Sequence, residues 1–379
     1  MRAPEGDRYP HLAKIIIILI IVILLPGCGV TPQVMAQDRL FLDLSLDFLG
    51  EYQLPPQEWE NTRVGGLSGL TYDRTRGKLL AISDDRSYFA PARFYTLNIN
   101  INETPILEKV TVEGVTFLRN PQGETYPLGT IDAEGIALSP RQSVYISSEG
   151  VPKNNIAPFI QEYDIDTGKL QSSLRIPERY LTGIAENQGF ESLTLSPNSL
   201  APGDPFRLFT ATEFSLIQDT ANPPQESDPI RMMHYVINTI GEPILVAEHL
   251  YLLDPAPYDD TFKHGLSELI ALEREGYFLS LERTLSLSGF GAKIFQIVIA
   301  NATDTSGIVN LSGDLAGIQP IRKKLLLDLE ELDLELDNLE GMTLGPRLPD
   351  GTQSLILVSD DNFKEEQVTQ FLLFRFRQN

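Results

Sequence analysis

Carboxylates recur in this chain at the head of one short phrase. Residues 132–140 read "DAEGIALSP", residues 189–197 read "GFESLTLSP" and residues 337–346 read "DNLEGMTLGP". Two related stretches are "GLSGLTYDRTRGKLLAISDDR" at 66–86 and "GLSELIALEREGYFLSLER" at 265–283. Matched on their chemistry, the key positions are Ser68, Glu134, Glu191, Glu268 and Glu340. Each phrase runs through a turn into a second alternating run that ends at another acid: Asp84, Glu149, Glu213, Glu282 and Asp360. In an antiparallel hairpin the start of one strand and the end of the next lie together. All these carboxylates are therefore expected to converge on one opening. Crowded carboxylates resist ionisation unless something neutralises them. Arg86 and Arg283 follow two of the pairs, and a hard cation such as Ca²⁺ is the other solution, because it takes carboxylate and carbonyl oxygens. On that reading Asp84, Glu134, Glu149, Glu191, Glu213, Glu268, Glu282, Glu340 and Asp360 are candidate metal ligands. The competing reading makes each glutamate a structural latch that accepts backbone N–H groups from the neighbouring unit.

The elements that must position these groups are strands. Beyond residue 38 the chain has short alternating apolar runs separated by turn residues, such as "KLLAIS", "SVYISS", "RLFTATEF", "KIFQIVIA" and "QFLLFRF". No long stretch carries helical apolar spacing. About two further strands follow each hairpin, and four strands per unit is a propeller blade. The fifth unit lacks one strand, and "RLFLDLSLDF" at 39–48 is expected to supply it, closing the ring and removing its edges. The expected fold is an all-β propeller of five four-stranded blades, or six if an irregular blade hides in a long connection. The acid-and-leucine run at 327–340 is expected to be a strand with one wet face.

Composition bounds the partners. The chain has 379 residues, 42% of them hydrophobic, and a net charge of −22. That charge argues against nucleic acid and anionic membrane surfaces as partners. Residues 1–37 read as a leader and linker, and 38–379 as the propeller domain. Ile15 to Leu25 is an unbroken apolar run of eleven, a signal-peptide length rather than a membrane span. The sole cysteine, Cys28, ends "LLPGC", similar to a bacterial lipobox whose cysteine is lipidated. Cleavage after Ala36, or an uncleaved anchor, are the alternatives. All three imply an extracytoplasmic domain touching the membrane only through its N-terminus.

As a set, the phrases at 132–140, 189–197 and 337–346, with "LLAISDDR" and "LILVSDDN", resemble the family named "esterase-like activity of phytase". The resemblance covers residues 40–378 and implies hydrolysis of phosphate or other esters, without marking a nucleophile. The residues themselves show no G-x-S-x-G elbow and no histidine-phosphatase "RHG"; "KHG" at 263–265 is the nearest. Of the four histidines, His234, His249 and His264 lie beyond the leader, and none has zinc-ligand spacing. His264 directly precedes the fourth unit and is, with Arg86 and Arg283, a catalytic candidate. Two functions follow. One is a metal-assisted hydrolase of a small ester or phosphoester, in which the cation activates water and Arg86, Arg283 or Lys263 holds the anionic group. The other is a non-catalytic propeller that binds a ligand or a protein at the cell envelope.

Overall fold

Alternation of apolar and polar residues makes each run a strand with one face for the core, and turn residues set where each strand stops. The structure, a computed structural model, describes residues 40–197, 201–220 and 227–378. Five four-stranded antiparallel sheets are built from these residues. The inner strands of blades one to five are Leu67–Asp73, Ala133–Leu138, Phe190–Leu195, Lys263–Ala271 and Leu339–Arg347. Each pairs with the next strand in sequence, and the inner strands contact one another in order round a ring that returns from blade five to blade one. The fold is thus a five-bladed β-propeller, and no sixth blade occurs among the described residues.

Apolar clusters sit between adjacent blades. Leu80, Ile82, Ile136 and Ile146 join blades one and two, while Tyr145, Phe190, Leu193 and Tyr235 join blades two and three. Phe209, Met232, Leu269 and Phe278 join three and four, and Leu279, Leu281, Met342 and Leu357 join four and five. Leu70, Tyr95, Val358 and Phe371 close the circle between blades five and one.

The ring closes through the N-terminal strand. That strand is Leu44–Leu54, beginning and ending later than residues 39–48. It pairs with the last strand, Thr369–Gln378, from Leu44 opposite Gln378 to Leu54 opposite Thr369. Its residues serve two interfaces: Leu44 and Leu46 pack on the cluster of blades four and five, and Leu49 and Tyr52 on that of blades five and one. The expected strand at 327–340 is interrupted. The outer strand Arg322–Asp328 stops where the Asp328 carboxylate accepts the Glu330 N–H and caps a 3₁₀ turn over Leu329–Glu331. Leucine alternation survives in the loop because Leu329 and Leu336 are buried in the blade cluster without a sheet partner. Local turn geometry also adds a small hairpin, Gln57–Trp59 with Thr62–Val64, around Glu60 and Asn61 at positive φ.

Cys28, Ala36 and the leader lie outside the described residues, and no described helix is long and apolar enough to cross a membrane. Removing residues 40–54 strips an apolar strand from two interfaces, which costs on the order of 5 kcal/mol or more and approaches total domain stability. The shortened protein is expected to aggregate or to melt at least 10 °C lower, roughly the shift such a loss implies; an unchanged melting curve would refute closure by this strand.

Candidate functional site: an acidic channel mouth

One feature of the inner hairpins aims the carboxylates. In every blade the pairing slips by one residue at the start of the inner strand, at Leu67/Gly69, Ala133/Ile136, Phe190/Ser192, Leu266/Glu268 and Leu339/Gly341. A bulge of this kind leaves one residue out of alternation and re-aims its side chain. The equivalent bulge residues are Ser68, Glu134, Glu191, Ser267 and Glu340. Opposite them, the second strands of four blades are followed by Asp84, Glu149, Glu213 and Asp360, and blade four's second strand, Tyr277–Ser286, carries Arg283 opposite Gly265. The backbone N–H of Asp84, Glu149, Glu213 and Asp360 donates to Gly66, Asp132, Gly189 and Asn338 respectively, which locks the two positions at one end of the hairpin. Gly189 and Gly265 permit this convergence. A Cβ at Gly189 would lie 2.7 Å from Glu149 Cβ, and one at Gly265 would lie 2.5 Å from Glu213 Cγ.

These ends frame a cavity of about 540 Å³ whose walls include Asp84, Asp132, Glu134, Glu149, Glu191, Glu340 and Asp360. Two carboxylate triads stand out: Asp132, Glu134 and Glu149, and Glu149, Glu191 and Glu213. Within each, one oxygen from every residue lies within 4.8 Å of the others, and Glu149 belongs to both. Glu134 and Glu191 are only 7% and 9% exposed, and their carboxylates have no hydrogen-bond partner among the described residues. All-oxygen, all-anionic donors at this spacing fit a hard cation whose metal–oxygen distances are about 2.3–2.6 Å.

Burial is the largest influence on these acids and raises their pKa values; a neighbouring carboxylate adds to it. Asp360 acts on Asp84, Glu191 on Glu134, Asp132 on Glu149, and Glu213 on Glu191. Asp360 is raised in the same way, by burial and then by Glu340. Burial also raises Glu340, against the opposing pull of Arg283. Asp132 is pushed up by burial, partly offset by Arg86, to about 6.

Two arginines are committed to this cluster. Arg283 is buried and bridges blades three and five, pairing with Glu213 and, at 2.5 Å, with Glu340; it also donates to Asn338 Oδ1. Burial disfavours its charge, but the carboxylates around it hold it firmly protonated. Arg86 pairs with Asp132 and donates to Asn187 at 2.7 Å. Lys263 and Lys364 also line the cavity and have no ion pair among the described residues. They are its free cations.

Several sequence expectations land elsewhere. Glu268 and Glu282 are one residue out of phase with the mouth, because alternation turns neighbouring side chains to opposite faces. Glu268 follows the bulge residue Ser267, and its Oε1 accepts Leu193 N–H at 3.2 Å and Leu269 N–H at 2.9 Å, with a further backbone bond from Met342. It is a latch between blades three, four and five. Glu282 accepts from Tyr251 and Lys323, both at 2.5 Å, on the flank of blade four. His264 faces that same flank, its Nε2 2.8 Å from the Asp254 carbonyl, and it does not line the mouth. Asp132 and Lys364 were not singled out by sequence. The acid opening "DAEG" was the available signal for Asp132; Lys364 carried none.

A sequence profile described as phytase-like, "esterase-like activity of phytase", matches residues 62–363. The chain belongs to this phytase-like family. No curated protein sequence matches it. Solved structures similar to it include the catalytic domain of the Coprinopsis cinerea GH62 alpha-L-arabinofuranosidase, at 11% identity and TM-score 0.43, covering 88% of this chain and 97% of that one. A GH62 hydrolase in complex with xylotriose is 12% identical, with TM-score 0.40 and coverage of 87% and 97%. The WD40 domain of Neurospora crassa Pan2 is 9% identical, with TM-score 0.33 and coverage of 87% and 95%. Likeness at this level carries no argument about function.

The raised carboxyls of this phytase-like propeller dictate its pH response. Each holds its proton more tightly folded than unfolded, so the folded state binds more protons above their ordinary values. Stability therefore falls as pH rises through that window. For Asp132, moving from the ordinary 3.8 to about 6 corresponds to on the order of 3 kcal/mol lost by pH 7.5. With chelator present, the protein is expected to melt several degrees higher at pH 5.5 than at pH 7.5, by roughly the conversion for a domain of this size. The opposite order in calorimetry would contradict the crowded-carboxylate account.

Proposed function

We propose that this phytase-like propeller is an exported hydrolase of small esters or phosphoesters, whose carboxylate mouth holds a hard divalent cation such as Ca²⁺. The observation that carries the reading is the pair of triads sharing Glu149, with the buried Glu134 and Glu191 carboxylates lacking hydrogen-bond partners among the described residues. Buried ionised groups without partners are costly, and a bound cation is the natural compensation. Asp132, Glu134, Glu149, Glu191 and Glu213 would hold it. Bound there, a cation supplies Lewis-acid polarisation of a phosphoryl or carbonyl oxygen and favours ionisation of nearby water.

The chain's own residues have distinct parts. Lys263 and Lys364 hold the anionic group of the substrate at the rim. Arg86 keeps Asp132 in place, and Arg283 ties Glu213 to Glu340 and prevents the ring from opening under its own charge. Burial, reinforced by the neighbouring Asp360, raises the Asp84 carboxyl above the usual carboxylate range, which makes Asp84 the proton donor to a leaving alcohol in this reading. Cys28 and the preceding apolar run support export and membrane anchoring.

A second reading has one observation in its favour. Serine, threonine, cysteine and histidine are all missing from the described residues that line the cavity, so no side-chain nucleophile of those types serves it. A non-catalytic envelope propeller that binds a ligand or a protein fits that as well as water-based hydrolysis does.

Turnover of a panel of carboxylesters and phosphoesters, measured with Ca²⁺ and with chelator, decides between them. Hydrolysis that needs the cation supports the first reading, and no turnover of any ester supports the second. Calcium at 100 times its Kd is expected to stabilise the protein by about 3 kcal/mol. Glu149→Gln should abolish that gain, because Glu149 serves both triads. Glu268→Gln should instead lower the melting point equally with and without Ca²⁺, by about 1–3 kcal/mol, as the latch is weakened. A Ca²⁺ response that survives Glu149→Gln would place the ion elsewhere. Cys28→Ser is expected to release the protein from the membrane fraction, and unchanged fractionation would exclude lipidation as the anchor.

A further inference from the structure

The wall of the mouth is as unusual as its floor. Tyr88 and Phe89 follow blade one's second strand, and Phe363 follows the second strand of blade five; all three line the cavity. Phe89 and Phe363 form a tilted pair with ring centroids 4.6 Å apart, and Tyr88 meets Phe89 edge-on at 5.0 Å. Arg63 covers both phenylalanines, 5.4 Å and 5.5 Å from their centroids. Tyr88 remains 72% exposed and Phe89 48%. Solvent exposure of clustered aromatic rings at a cavity mouth is apolar surface left available to a ligand.

The backbone spends stability to hold this wall. Ser87, Asn362 and Phe363 have φ of 61°, 46° and 53°. A bulky residue in the left-handed region is an outlier that persists only where its surroundings enforce it, and such sites cluster at ligand clamps. The enforcing groups are Asp85 and Asp361, the second acids of the two "SDD" phrases, together with Asp360, which accepts the Asn362 N–H at 2.7 Å. Asp85 accepts the N–H groups of Tyr88 at 2.6 Å and Ala90 at 2.9 Å, and it pairs with the fully buried Arg93 at 2.7 Å. Asp361 accepts the N–H groups of Gly66 at 2.8 Å and Phe363 at 3.0 Å. The same dipeptide therefore supplies one carboxylate to the floor, Asp84 or Asp360, and one that fixes the aromatic wall.

We propose that the mouth selects an ester whose non-reacting part is a flat, largely apolar ring, seated against Tyr88 and Phe89 beside the carboxylate floor. This rests on the hydrolase reading and names its substrate class. A densely phosphorylated polyol fits badly. It has no apolar face for the wall, and it would meet a chain of net charge −22 with Lys263 and Lys364 as the lysines without an ion pair among the described residues of the mouth. Those two ammonium groups suffice for a single anionic group.

The test uses the full chain with Ca²⁺ and pairs benzyl with ethyl esters of the same acid, phosphate or acetate, so that leaving-group reactivity is nearly matched. The benzyl ester is expected to be preferred by about tenfold in kcat/KM, the scale of one good aromatic contact. Tyr88→Ala should raise the benzyl KM and bring the ratio toward one, with the melting point checked because the side chain is exposed. Equal turnover of benzyl and ethyl esters, or tighter binding of myo-inositol hexakisphosphate than of benzyl phosphonate, overturns the ring subsite and leaves the hydrolase reading standing. Calorimetric binding of benzyl phosphonate that weakens in Tyr88→Ala, with no turnover of any ester, sinks the hydrolase reading and supports the subsite. No binding and no turnover overturns both.

Discussion

The extra residue at the start of each inner strand is the constraint on which the rest depends. It breaks the two-residue alternation at one place per blade, so a side chain that would lie against the sheet turns into the channel. The same bulge lets neighbouring blades approach closely. A Cβ on Gly69 would lie 2.5 Å from the Glu134 carbonyl oxygen, and one on Gly135 would lie 2.7 Å from that of Glu191. The Ser68 hydroxyl donates to that Glu134 carbonyl at 2.9 Å. Close packing of the five inner strands and crowding of their acids are thus two results of one backbone feature. Where blade four has Glu268 in place of a small residue, the carboxylate is absorbed as a latch for the backbones around it.

Crowding has an energetic consequence that shapes the mouth. Its acids lie buried, or in the case of Asp84 half-buried, beside one another, and such groups lower stability unless they are compensated. Blade four breaks the symmetry by placing Arg283 where the other blades place an acid. That one cation neutralises Glu213 and Glu340, Arg86 at the rim pairs with Asp132, and Glu134, Glu149 and Glu191 have no arginine ion pair among the described residues. The apolar clusters at all five interfaces supply the stability that allows the remaining charge to be tolerated. A bound cation and a retained proton are the two ways left to relieve it, and both are chemically useful.

The aromatic wall shows the same economy of means. Asp84 and Asp85 are consecutive and both reach the cavity wall, yet the Asp85 carboxylate is taken up by the loop N–H groups that order Tyr88 and Phe89. Asp360 lines the channel and also accepts the Asn362 N–H, while Asp361 accepts the N–H groups of Gly66 and Phe363. Floor and wall therefore move together: a shift in the hairpin end that displaced the carboxylate would also release the aromatic loop. This coupling keeps two different surfaces in fixed relation without a separate supporting element.

The sequence by itself determined the all-β class, the hairpin unit and the closing of the ring by its first strand, while five blades rather than six was decided by the structure. Those properties follow from alternation and turn residues, which are local. Its acidic phrases also pointed to the correct end of most hairpins, and to Asp84, Glu134, Glu149, Glu191, Glu340 and Asp360 as neighbours. Only the tertiary structure decided the phase of blade four. Matching acid to acid aligned Glu268 and Glu282 with the mouth, whereas the bulge aligns Ser267 and Arg283. The letters carry no mark of a bulge, and a single inserted residue reverses the face of everything on one side of it. The tertiary structure also decided that the helix Glu178–Gly183 forms where its buried Tyr180 meets Phe190, and that Asp132, Lys364 and the rings of Tyr88, Phe89 and Phe363 share one cavity. Those groups come from separate loops, and what brings them together is the closed ring, a long-range contact that no stretch of sequence contains.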